Sequence, residues 1–382
     1  MRTTASLVVL TGLAACSGAG PGPEDGGVGE GPYVPVESRP LGLNDVTVLL
    51  PLESVDAGTP LPGPEALIRY DLFDRLTTTP GDVLTDFDRL RVVAIRFDVC
   101  DRAQPGPCPP GADGSLRLVL QPLLRDGHAE DVALHAFYPV PNAEVPELVD
   151  TLRALARLQD VPLSSPLKVN TAWKVNAEYT EKLAALVARY AAPAKLLRLT
   201  LFGQLTTNAA LIWVFRGVEK QGAGFVRIDI PDVRAQDQQV LLFGGASFTA
   251  TPIADAPAGF RRVMSESDFT AATPAQQREA LESLTAADNP TVHTAQTVQC
   301  VTCHVSTTLL SQRAADAGIG LATLPTRYTS TFDLTPLGKD SVRPFTLRAL
   351  GWLRDEPLVA HRTVHESANV IDEMEARFPP AP

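Results

Sequence analysis

The stretch RLRVVAIRFDV, residues 89–99, carries the β signal on which the fold class turns. It is rich in β-branched and aromatic residues and partly alternates, which favours strand over helix. Working outward, the same texture recurs at 45–52, 115–123, 131–140, 196–205, 210–218, 224–233 and 239–244. EKQGAG, between the runs at 210–218 and 224–233, reads as a hairpin loop. Two helical patterns interrupt the strands. Residues 144–159 place Leu148, Leu152, Leu155 and Leu158 at three-to-four spacing, and residues 177–192 repeat the period with Leu183, Leu186, Val187 and Tyr190. Many strands with only two clear helices predict an α+β domain over 36–255. Its mixed or antiparallel sheet has helices packed on one side, and a Rossmann arrangement is disfavoured.

After TPIADAPAGF the texture changes, and residues 256–382 read as a mostly helical C-terminal domain. Residues 273–288 predict a helix with Thr273 as cap and Pro274 in its first turn. STTLLSQRAADAGIG reads as a helix stopped by glycine, and 343–353 is apolar and aromatic. Near the end, Thr363-Val364-His365-Glu366 fits a capping box that opens a final helix.

The N-terminus is read separately. Arg2 precedes an apolar run from Ala5 to Ala15, too short to span a bilayer and suited to a secretory signal over 1–15. The run ends Leu13-Ala14-Ala15-Cys16. Small residues fit a peptidase cleft, and a thiol accepts a diacylglycerol. This segment resembles a bacterial lipobox, which implies that Cys16 is lipidated and becomes the mature N-terminus. By the same resemblance, Ser17 implies an outer-membrane destination. The Gly/Pro-rich residues 16–35 suit a flexible tether. The alternative is a plain cleaved signal with an incidental cysteine.

The chain has 382 residues and a formal net charge of −11, one unit more negative without Arg2. An acidic surface argues against nucleic acid and anionic lipid heads as partners. No GxGxxG, Walker loop, GxSxG elbow or HExxH is present, so no catalytic machinery is assigned.

Of the five cysteines, Cys100 and Cys108 flank a proline-rich loop and read as a local disulfide in an oxidising compartment. The remaining pair lies in Cys300-Val301-Thr302-Cys303-His304. With five Cys and six His in the chain, random placement produces Cys-x-x-Cys-His on the order of 0.001 times. Two thiols at this spacing can add to the two vinyl groups of one haem edge, and the adjacent histidine then reaches the iron. The motif resembles a c-type cytochrome attachment site. That resemblance implies haem c, with Cys300 and Cys303 as thioether donors and His304 as an axial ligand, in a cytochrome c-like C-terminal module. Haem attachment takes place on the exported side of bacterial membranes, where the lipobox directs the chain.

No Met-Pro signature marks a sixth ligand. His361 and His365 are the first candidates, with Met374, His293 and Met264 behind them, and a five-coordinate iron is the further option. The competing reading is zinc held by Cys300, Cys303, His361 and His365, which has the right ligand types but 57 residues between its halves. A redox dithiol and a plain cysteine pair complete the alternatives. The sequence-based expectation is a lipid-anchored, single-haem electron carrier of the cell envelope that serves a redox partner protein. The alternative is a non-enzymatic envelope lipoprotein with a structural zinc or disulfide, acting in binding or assembly.

Overall fold

A computed structural model describes residues 39–55, 60–77, 87–99, 112–206, 211–228, 237–241, 247–248, 257–293, 300–338 and 349–380. The secretory signal, Cys16, the tether, and the Cys100 and Cys108 pair all lie outside the described residues. The architecture is α+β.

The first strand is preceded by a short helix, α1 (Leu43–Val46), and β1 covers only Thr47–Leu49. The sequence expectation of a strand over 45–52 is corrected here. Gly42 N–H donates to Asp45 Oδ2 at 2.7 Å, which closes a helical turn at the start of that run. Two short helices follow, α2 (Pro64–Leu67) and α3 (Tyr70–Thr77). The long strands come next: β2 (Leu90–Val99), β3 (Ala112–Pro122) and β4 (Ala133–Pro141). Helices α4 (Val145–Ala156), α5 (Ala172–Val175) and α6 (Ala177–Tyr190) intervene before β5 (Arg198–Thr206), β6 (Leu211–Gln221), β7 (Gly224–Ile228), β8 (Asp237–Leu241) and β9 (Ser247–Phe248).

These nine strands form one sheet in the order β1-β2-β3-β4-β5-β6-β8-β9, with β7 also pairing with β6. Every pairing is antiparallel. The register sets Ile95 opposite Leu118 and Leu118 opposite Ala136, so one face is a continuous apolar layer. Gly222, at φ 59°, makes the β6–β7 turn, where the left-handed backbone suits glycine.

Helices α4 and α6 bury the leucines read from their periodicity: Leu148, Leu152 and Leu155 on one, Leu183 and Leu186 on the other. Asn176 caps α6 by accepting from Tyr179 N–H. Burial of a single Leu side chain stabilises by roughly 1.5–3 kcal/mol, so these stripes are a major part of what holds the two helices to the core.

Beyond residue 256 come α7 (Pro257–Met264), α8 (Glu266–Ala271), α9 (Pro274–Asp288) and α10 (Cys300–Ala317). A hairpin of β10 (Leu350–Leu353) and β11 (Glu356–Val359) then leads into α11 (His361–Arg377). Thr273 and Gln276 form the capping box of α9, with Pro274 in its first turn, as the sequence indicates. α10 ends at Gly318 (φ 63°), with Ile319 N–H donating to Ala314 O at 3.0 Å.

Two cores organise the protein. Phe260, Phe269, Leu281, Leu284, Leu309 and Leu310 build one among α7–α10, joined by Phe202 and Phe215 of the sheet. The other centres on the sheet and includes Trp352, Val359, Val364, Ile371 and Met374. The C-terminal 127 positions therefore do not share one core of their own, because β10, β11 and α11 pack into the sheet domain. They also cover the sheet face that carries Arg96 and Gln121. Gln121 bonds both the N–H and the carbonyl of Trp352, and Arg96 meets Glu366. The expectation of helices on one side only is thus corrected. The opposite face is covered too, where Tyr138 OH donates to Leu67 O of α2 at 2.9 Å.

Candidate functional site

The Cys-x-x-Cys-His motif occupies the first turns of α10, and of Cys300, Cys303 and His304 only the backbone positions are described. Helical phase places them. At 3.6 residues per turn, positions 300 and 303 fall within about 40° of position 307 around the helix axis. Thr307 is buried, and its Oγ accepts from His361 N–H at 3.1 Å. The stripe of α10 that carries the two cysteine positions is therefore the stripe that meets the start of α11. The helix that begins with the motif and the helix that begins with HRTVH, far apart in the chain, meet at Thr307.

The end of α9 completes the junction. Ser306 Oγ donates to Asp288 Oδ1. The Asp288 carbonyl receives a hydrogen bond from His365 Nδ1 at 2.9 Å. A carbonyl oxygen can only accept, so this bond places the proton on Nδ1 and leaves Nε2 with its lone pair. The other Asp288 carboxylate oxygen lies 3.9 Å from His361 Nδ1, beyond hydrogen-bond reach. His361 Nδ1 has no hydrogen-bond partner among the described residues. The two imidazoles, one helical turn apart, stack nearly parallel at 11° with centroids 5.8 Å apart. Tyr328 lies on the His365 ring, centroid to centroid 5.1 Å.

Burial, aided by the Arg327 charge, lowers the His361 pKa to about 4. Burial likewise lowers that of His365 to about 4, against the opposing effect of its bond to the Asp288 carbonyl. Both rings are neutral at pH 7, the form in which imidazole ligates a metal. Both line a cavity of about 230 Å³ that is mostly polar, with Asp288, Arg327 and Asp333 in its lining and Leu310, Leu321 and Leu334 on its apolar side.

The turn carrying His365 is held firmly. Arg362 donates to Ala287 O at 3.1 Å and to Glu366 Oε1 at 2.7 Å. Glu366 Oε2 accepts from Arg96 of β2 at 2.7 Å, and Arg96 also donates to Asp98 at 2.7 Å. Burial alone would raise the Glu366 pKa, but the Arg96 and Arg362 guanidiniums overcome it and hold the carboxyl far below its usual range. The capping box expected at Thr363 and Glu366 does not form. α11 begins three residues earlier, with Ala360 as its N-cap, Thr363 Oγ donates to Ala349 O at 2.7 Å, and Glu366 is committed to arginines.

The other candidate ligands are dispersed. Met264 is buried in the core of α7–α10. Met374 is buried in the sheet core, nine positions past His365 and so about 13 Å along the helix. His293 is buried in the turn after α9. Among the described residues no group of three or more His, Cys, Asp or Glu is spaced to hold a metal ion. Asp288 with the two histidines therefore does not form a three-ligand site. Asp288, Ser306 and Thr307 escaped the sequence reading. One signal was present: an acid in the last turn of a helix opposes the macrodipole and calls for a local partner.

No family model, no curated protein and no solved structure matches this chain.

Proposed function

We propose that this chain is a lipid-anchored envelope protein that carries one covalently bound haem and transfers electrons to or from a partner protein. The observation that carries the reading is the docking of α11 onto α10 through Thr307 and His361. It sets a buried imidazole, His365, and a partly buried one, His361, both neutral, beside the helix whose first turns bear Cys300-x-x-Cys303-His304. The support is the neutral imidazoles near the motif helix; the adjoining cavity, about 230 Å³ with a mostly polar lining, is not itself a haem pocket. Cys300 and Cys303 would supply the thioethers, His304 the proximal ligand, and one of the α11 histidines the far side. A bound haem supplies one-electron redox chemistry; the chain's own groups hold it and exclude water. The proposed module spans the helical layer and the start of α11, with the sheet domain as the body between it and a lipid on Cys16.

The zinc reading uses Cys300, Cys303, His361 and His365, and the same docking would serve it. One preparation separates the two. Expressed with cytochrome-maturation machinery, the protein is expected to show a Soret band and a pyridine haemochrome of one haem per chain. A colourless protein would overturn the haem assignment, and stoichiometric zinc in it would establish the alternative. Mass spectrometry of the mature N-terminus is expected to find a diacylated Cys16; an unmodified residue 16 would refute the anchor.

A further inference from the structure

We propose that the cavity at the junction of α9, α10 and α11 is a recognition site for a small apolar α-amino acid. Arg327 takes the carboxylate, His365 Nε2 accepts from the ammonium group, and Leu310, Leu321 and Leu334 hold the side chain. The proposal stands apart from the haem reading: its residues are all described, and His365 serves the cavity and not a metal. At about 230 Å³ the space holds roughly eight water-sized groups. It falls below the roughly 300–1,000 Å³ of pockets for drug-sized ligands. A peptide or a nucleotide is too large for it, and valine or leucine is of the right size.

The polar groups choose the ligand class. Arg327, in the loop after α10, is exposed, and its guanidinium makes no hydrogen bond or ion pair among the described residues. Its charge nevertheless reaches both imidazoles. A guanidinium without a partner at the wall of a small cavity is suited to a carboxylate. His365 is the complementary case. It is buried, its Nδ1–H is committed to the Asp288 carbonyl at 2.9 Å, and Nε2 has no hydrogen-bond partner among the described residues. The Nε2 lone pair is therefore the acceptor that this ring offers to the cavity it lines. The hydroxyls of Thr285 and Thr335 are already engaged, with Glu282 O and Asp333 Oδ1. Tyr328 and His361 pack against the His365 ring and hold its direction.

The charge balance excludes simpler ligands. The lining has two aspartates against one arginine, and the imidazoles are neutral at pH 7 and add nothing. A plain anion meets the excess of acid, and a plain amine leaves Arg327 unanswered. A zwitterion answers both, and the leucines receive its apolar side chain.

Calorimetric titration of the full-length protein at pH 7 with L-valine and L-leucine tests this. Two fragments of valine serve as controls: isovalerate, which lacks the ammonium group, and isobutylamine, which lacks the carboxylate. At least one of the amino acids is expected to bind saturably at one site per chain, and each fragment to bind about tenfold more weakly than valine or worse. Arg327→Gln is expected to weaken binding by a similar factor with an unchanged urea midpoint, because the side chain is exposed and has no partner to lose. Arg327→Lys, which keeps the charge, is expected to recover part of the affinity. Absence of saturable binding by both amino acids would overturn the proposal. So would a fragment that binds as tightly as valine, or an Arg327→Gln variant with wild-type affinity.

Discussion

Asp288 and Asp45 show how single buried carboxylates shape this protein. Asp288 reaches Ser306 with its carboxylate and His365 with its backbone carbonyl, 18 and 77 positions away. The Cys-x-x-Cys-His and HRTVH motifs were legible because their information lies in local spacing. The role of Asp288 was not, because its partners come from other helices. Asp45 accepts from Gly42 N–H and from Gln159 Nε2 at 3.0 Å, inside a buried network that continues through Asn170 to Tyr179. Burial raises its pKa to about 6, against the lowering effect of Arg39 and the Gly42 N–H. The folded state therefore binds this proton more tightly than the unfolded chain between about pH 4 and 6. Its contribution to stability is fully present at acid pH and lost as the pH rises through 6, by about 3 kcal/mol. In Asp45→Asn that contribution is absent. Measured by urea unfolding, wild type minus variant is expected to fall by about this amount between pH 4 and 7. A flat difference would show that Asp45 titrates as an exposed carboxyl.

The helices differ in how they begin, and the difference explains which were legible. α9 starts with a side chain three residues from its partner, so the Thr273–Gln276 box reads directly from the sequence. α11 has Ala360 at its N-cap with no side-chain bond, and one of its first N–H groups is satisfied by Thr307 of another helix. No local pattern encodes a cap supplied from 54 residues away. Thr307→Ala leaves that N–H without its acceptor and is expected to cost about 1 kcal/mol, as other cap deletions do. Thr307→Ser is expected to remain close to wild type. Denaturant midpoints at constant slope measure both; equal midpoints for all three would mean that the bond contributes nothing. The β10 strand depends on another long-range device. Gln121 pins the Trp352 backbone in the manner of a neighbouring strand, and Gly351, at φ 146°, leaves the room: a Cβ there would lie 2.5 Å from Gln121 Oε1.

At the scale of the whole molecule, the sheet domain is completed by the end of the chain. Trp352, Val364, Ile371 and Met374 are buried in its core, and Glu366 supplies charge to the buried Arg96. A chain truncated at residue 255, where the sequence suggests a boundary, is expected to lose the cooperative thermal transition seen in the full-length protein by circular dichroism. Independent, reversible folding of residues 36–255 would show that α11 only decorates the sheet. Among the described residues no helix is long and apolar enough to cross a membrane. The sequence by itself determined the α+β class, the strand-rich half, the apolar stripes of α4 and α6, the α9 cap and the positions of the cysteine and histidine motifs. Each follows from residues within a few positions of one another, where backbone propensity and side-chain period act. Only the tertiary structure decided that α11 belongs to the sheet core, that Thr307 caps it, and that Asp288 directs His365. Those outcomes depend on burial and on hydrogen bonds between segments tens to hundreds of residues apart, which no local pattern records.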